Sequence, residues 1–313
     1  MKLKLSNIIH SILVVVFICS VSNELSAAEK RSIKFSFSPG ENISFIEKLT
    51  MIKEKDMGEH GKQIDESIIT SKITITRTKS GWDVLAEPLS VSLKRNGEAI
   101  DDRFIKLISS AVVTSKLDAQ GNIVDVEGYQ AFVEGLSKQM PEPFSQRLSS
   151  VLNVEMMKAK EIASWKGRIG DFVGAEVEVG DSFVGSEPFE LPNGVTINFN
   201  VKTNISAIEP CGQHECVRIE QVYDSRTNNV AKVASNIVSN VLRGDSPETS
   251  KENTENGSAT IHGMVQRIID PHTMLIYAEE STRTVNMMVD IPGVNSVPMS
   301  MTETRVYEYQ YQQ

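Results

Sequence analysis

Apolar residues at every second position mark the first third of the chain. Ile33, Phe35 and Phe37 alternate with polar neighbours up to a turn at Pro39-Gly40. Ile43, Phe45, Leu49 and Met51 resume the alternation, with Glu47 interrupting that face. Ile73 and Ile75 are set between Thr74 and Thr76, Trp82 and Val84 follow Ser80-Gly81, and Leu89, Val91 and Leu93 follow Pro88. A period of two broken by turn residues is the pattern of antiparallel strands. The intervening positions are rich in Ser, Thr and Lys, as in a sheet covered on one side only. Residues 54–66 are polar and charged and read as a loop.

The period changes after the turn Asp118-Ala119-Gln120-Gly121 and the run Ile123, Val124, Val126. Tyr129, Phe132, Val133, Leu136 and Met140 recur at helical spacing, predicting a helix near 128–139. Pro141 and Pro143 separate it from a second, near 143–165, with Phe144, Leu148, Leu152 and Met156 every four residues and Trp165 extending the face. Gly167 and Gly170 end that segment. Val195, Ile197, Phe199 and Val201 give the clearest alternation in the chain, and Val217, Ile219 and Tyr223 form their hairpin partner. Val230, Val233, Ile237 and Val241 predict a third helix near 227–243, stopped by Gly244.

Residues 244–258 hold no large apolar side chain and read as a flexible polar loop. Strand patterns return at Ile261, Met264 and Val265, at Met274–Tyr277, at Val285, Met287 and Val289, and at Val306, Tyr309 and Tyr311. The organisation is a main domain over 29–243, the loop, and C-terminal strands over 259–313 that rejoin the main sheet. Two hairpins alone bury too little apolar surface to stand apart. The fold class is α+β: a curved, half-barrel-like antiparallel sheet packed on one face by two to three helices.

Residues 1–28 read as a secretory signal: Lys2 and Lys4, an apolar run Ile12–Ile18, then Ser26-Ala27-Ala28 at the cleavage position. The run is too short for an ordinary transmembrane helix of roughly 20 residues, so the mature chain is expected to have no such span and to be periplasmic or secreted. Cys19 follows Ile18, where a lipid-modified Cys needs a small residue before it. The chain has 313 residues and a formal charge of −9, with no basic cluster larger than Lys94-Arg95. That balance excludes nucleic acid as a partner, since binders release phosphate counterions with clustered Lys and Arg.

Cys211 and Cys216 remain in the mature chain, in EPCGQHECVRI. An oxidising compartment favours a disulfide across the tight loop Gly212–Glu215. A metal or redox site is the alternative, but the spacing is not Cys-x2-Cys and no second pair supplies a zinc cage. Gly180-Asp181-Ser182 matches the nucleophile block of a class of esterases. The tripeptide recurs at Gly244-Asp245-Ser246, and Asp270-Pro271-His272 has the wrong spacing for the matching base, so the reading is a turn. His214, His262 and His272 show no metal-binding spacing, and no carboxylate pair is nominated. Met264, Met274, Met287, Met288, Met299 and Met301 serve as core filler, as an adaptable apolar groove or as soft copper(I) ligands. No catalytic, cofactor or metal residue is assigned.

Three stretches carry a resemblance: LDAQGNIVDVEG (117–128) running into a helix, GAEVEVGDSF (174–183), and the alternating strand with its Cys-bearing partner (195–223). In that order they resemble an uncharacterised family of exported bacterial β-rich proteins, known only as a domain of unknown function. The resemblance implies a periplasmic or surface location and brings no catalytic residues. More distantly, the layout resembles the half-barrel carriers of lipids and lipoproteins, at the level of fold alone. The function expected is a non-enzymatic binding or envelope-associated role. Phe132, Leu136, Phe144, Leu148, Leu152 and Met156 would line an apolar groove between sheet and helices for a lipid or a segment of an envelope protein. The alternatives are a hydrolase of unrecognised geometry and an interaction module using sheet edges.

Overall fold

The computed structural model describes residues 31–56, 58, 61–101, 106, 109–139, 154–190, 196–225, 259–289 and 297–311. The predicted signal with Cys19, the third helix at 227–243 and the loop at 244–258 lie outside these residues, as do Phe144, Leu148 and Leu152.

Among the described residues, fourteen strands and two α-helices are present. β1 (Ser32–Lys34) pairs with β8 (Glu176–Glu178) in a two-stranded sheet. All other strands join one antiparallel sheet: β2 (Asn42–Asp56), β3 (Lys62–Arg77), β4 (Gly81–Arg95), β5 (Glu98–Ala99), β6 (Val113–Asp118), β7 (Ile123–Glu127), β9 (Ser182–Glu190), β10 (Thr196–Cys211), β11 (His214–Ser225), β12 (Ala259–Ile269), β13 (Ile276–Val289) and β14 (Val297–Tyr311). Their order is β7-β6-β4-β3-β2-β14-β13-β12-β11-β10-β9, with β5 on β4. The path does not close: β7 and β9 are its two ends. The α1 helix spans Tyr129–Gln139, and α2 spans Val154–Arg168. Neither described helix is long and apolar enough to cross a membrane. The molecule is thus more β-rich than the expected sheet roofed by two to three helices, and α2 passes through Gly167 to Arg168 rather than ending near 165.

Two strand expectations need correction. Within residues 54–66, 54–56 end β2 and 62–66 begin β3, because charge pairs opposite charge across the β2–β3 hairpin. Lys53 faces Asp65, and Lys55 Nζ lies 3.0 Å from Asp65 Oδ2. Leu89 leaves the alternation: the register slips between Thr70 and Ser71 opposite it, and Leu89 is 58% exposed. Pro88 has no N–H to give the ladder, which suits a bulge at this point.

The core gathers at one end of the long strands. Phe45, Ile73, Ile75, Trp82 and Leu117 from one half of the sheet join Ile205, Val217, Ile219, Ile269 and Ile276 from the other. A strap over this end supplies Ile33, Phe35 and Phe37, all buried. It is fastened by Phe35 N–H donating to Ala175 O, 2.9 Å, and Ser36 N–H to Pro271 O, 2.8 Å. Phe35 meets Phe172 on the turn after α2, and Phe37 sits edge-on to both Trp82 and Trp165. Each buried ring contributes about 1.5–3 kcal/mol by leaving water. Strands of 15 residues run roughly 50 Å at about 3.3 Å per residue, so this core occupies only part of their length.

Candidate functional site

The register places three successive bands on the core-bearing, inner face of the sheet. The first, next to the core, is an ion network under the last turn of α2. Ile219, Arg267, Glu279, Tyr307 and Leu49 stand opposite one another across five strands. Arg168 reaches down from α2, its Nε donating to Glu279 Oε2 at 3.0 Å, while Arg267 Nε donates to the same oxygen at 3.1 Å. Arg168 Nη2 also donates to Tyr309 Oη, lies 3.5 Å from Glu47 Oε2, and its guanidinium covers the Tyr307 ring at 4.6 Å. Arg267 Nη1 donates to Gly167 O and to Gln221 Oε1. Burial acts to raise the Glu279 carboxyl, but Arg168 and Arg267 outweigh it and hold it below the ordinary carboxylate range. Glu47, the residue that breaks the apolar pattern of β2, is the second carboxylate facing Arg168.

Glu161 on α2 stands at the margin of this network with the opposite balance. Burial raises its carboxyl; Arg168 opposes that, Glu47 adds to it, and Tyr129 and Ser115 donate hydrogen bonds. A raised folded value means the charged form destabilises the fold once pH rises above it, and that the penalty vanishes below the unfolded value, about 4.3. Glu161→Gln should therefore raise the melting temperature at pH 7 to 8, and the gain should close as pH falls below 4.5. Thermal melts across that range check it; an equal gain at every pH would refute it.

Farther along the strands comes a charged band. Tyr223, Gly263, Arg283, Glu303, Lys53 and Asp65 form one continuous row across six strands. Gly263 leaves room for the Tyr223 ring, since a Cβ there would come within 2.0 Å of Cζ. Glu303 is 3% exposed and surrounded by three cations: Arg305 Nη2 at 2.7 Å, Lys53 Nζ at 3.1 Å and Arg283 Nη2 at 3.2 Å. Burial works to raise its carboxyl, and the three charges overcome that and lower it. Asp65 is likewise held at about 2: burial opposes, but hydrogen bonds from Arg95, Lys55 and Gln63 prevail.

The last band is apolar. Ile261, Val285 and Met301 face one another, then Met287 and Met299. Val285 is buried, but none of these belongs to the main core cluster. A cleft of about 420 Å³ opens at this end of the strands, lined by Met287, Pro298, Met299 and polar residues including Asp56 and Ser300. A second, of about 540 Å³, lies at the core end between Pro39, Ile43, His214, Asp270, Tyr277 and Tyr311.

The predicted site residues are scattered relative to these bands. Phe132 on α1 and Met156 on α2 are half-buried, and Leu136 lies on α1. The Cys211–Cys216 disulfide is formed, with Cα atoms 5.7 Å apart, at the tip of the β10–β11 hairpin. Gly180-Asp181 is a turn: Glu178 N–H donates to Asp181 Oδ2, and Gly180 N–H to Ile205 O. The histidines do not meet. His214 borders the second cleft, and the His272 N–H caps Asp270. His262 Nδ1 pairs with Asp224 Oδ1 at 2.5 Å on the outer face, beside Thr284. That pair is more than half exposed and lies in neither cleft. Among the described residues, no group of three or more His, Cys, Asp or Glu could hold a metal ion. Sequence reading missed both ion clusters, although Glu47 was a visible signal of the first.

No family model matches the chain, and no curated protein does. Among solved structures, lipovitellin aligns with a TM-score of 0.41 at 12% identity, over 88% of this chain. This chain spans about a quarter of lipovitellin's length, 26%. A putative exported protein with a YmcC-like fold from Bacteroides fragilis aligns at a TM-score of 0.27 and 11% identity, over 90% of this chain and 100% of its own. OccK2 of Pseudomonas aeruginosa aligns at 0.22 and 8%, over 86% and 98%. Both resemblances read from the sequence, to exported bacterial proteins and to a lipid-carrying fold, recur here. Likeness of this size carries no argument about function.

Proposed function

We propose that this is an exported protein that holds an apolar ligand, or an apolar segment of an envelope protein, between its sheet and its helices, and performs no chemistry on it. The observation that carries the reading is the apolar inner band of Ile261, Val285, Met287, Met299 and Met301, which continues beyond the charged row without belonging to the main core cluster. Methionine thioethers adapt their shape to varied apolar occupants. The described helical positions of the predicted groove, Phe132 and Met156, are half-buried. Export is supported by the signal-like N-terminus and by the disulfide. Among the described residues the hydrolase alternative has the Asp224–His262 pair, more than half exposed and outside both clefts.

Native mass spectrometry of the gently purified full chain, followed by organic extraction, tests the proposal. A co-purifying apolar molecule, lost on extraction, is expected. A bare mass, together with failure to take up added dodecanol, would overturn it.

A further inference from the structure

The charged row beside the apolar band is unbalanced. On the inner face, among the described residues, Lys53, Arg283 and Arg305 all face one carboxylate, Glu303, while Lys55 and Arg95 pair with Asp65. This excess of positive charge stands in a chain whose formal charge is −9. Glu303 lies at the bottom, almost inaccessible, while the side chains of Lys53, Arg305 and Arg283 are 37%, 39% and 41% exposed. The carboxylate therefore orders three cationic heads from beneath and leaves them reachable from above. Arg283 Nε is buried and meets no acceptor among the described residues. Paired guanidiniums and an ammonium suit a phosphate, which offers several oxygens to forked donors.

Resting on the apolar-ligand reading above, we infer that the ligand is an anionic amphiphile of phospholipid type. Its phosphate sits on Lys53, Arg283 and Arg305, and its acyl chain lies along Met301, Met287 and Met299. Successive same-face positions are about 6.7 Å apart along a strand, so the two apolar rows lie roughly 7 and 13 Å from the charged row. An extended chain running along the strands covers that span.

Titration calorimetry on the full chain, with probes below their micellar concentrations, tests this. Dodecyl phosphate should bind at least tenfold more tightly than dodecanol. Lys53→Met and Arg283→Gln should each erase most of that preference. Lys53→Met is the safer variant, because Glu303 keeps two other cations. Equal affinity for the two probes would sink the phosphate seat and leave the apolar reading standing. Inorganic phosphate binding as tightly as dodecyl phosphate would overturn the amphiphile and the apolar reading together. Displacement of dodecyl phosphate by an acidic peptide alone, and not by phosphatidylglycerol vesicles, would assign the seat to a protein and overturn the inference.

Discussion

Glu279→Gln should cost the fold about 3–5 kcal/mol, the range for removing one partner of a buried ion pair. The carboxylate is 5% exposed, and it is the shared acceptor of Arg168 and Arg267. The amide keeps the shape but leaves two guanidiniums close together in a dry site. One of them, Arg267, is itself 5% exposed. Urea denaturation of the variant beside the parent measures the loss. The pH dependence has a fixed sign. The folded carboxyl is held below its ordinary value, so its contribution is complete above about pH 4.3 and drains away as pH falls through the lower folded value. The variant should lose less stability than the parent on acidification. Replacing Arg168, Arg267, Glu279 and Glu47 together by Leu or Met should cost less than Glu279→Gln alone, because the charges of the network then leave as a set. A single variant as stable as the parent would show that the network is open to water.

Gly121→Ala should cost about 2–4 kcal/mol from backbone strain and overpacking together. Gly121 has φ +95°, and a Cβ there would come 2.4 Å from Phe37 Cβ. Its carbonyl also accepts the Trp165 indole N–H at 3.0 Å. One residue thus joins the strap, α2 and the β6–β7 turn, and displacing Phe37 disturbs its edge contacts with both tryptophans. Reduced near-ultraviolet circular dichroism and a lower denaturation midpoint should appear together. An unchanged midpoint would mean that the strap does not rest on this turn.

The alternation of Ile33, Phe35 and Phe37, and of Ile43 and Phe45, was legible because one face of each segment enters the core. Polar strands were not. Lys62–Glu66 has no apolar period, and only the cross-strand charge pairs with Lys53 and Lys55 make it a strand. A local reading of 54–66 therefore gives a loop. The ion clusters were hidden for a related reason. Arg168, Arg267 and Glu279 are distant in sequence and meet only once the register is set. Glu47 alone hinted at them, as a charge where an apolar residue was due. The disulfide, by contrast, needed only a short hairpin and was visible from spacing.

The pairing of β2 with β14 divides the chain's assembly in two. Strands β2 to β7 form one meander and β9 to β14 another, each built from neighbours in sequence, while the seam joins Asp56–Phe45 to Ser300–Tyr311. Until β14 has been made and docked, β2 and β13 both present long unpaired backbone edges, the surfaces on which chains aggregate. The slowest and riskiest moment of folding therefore falls on its last strand. A chain stalled short of residue 297 would offer chaperones and proteases two raw edges in the middle of what should become a continuous sheet.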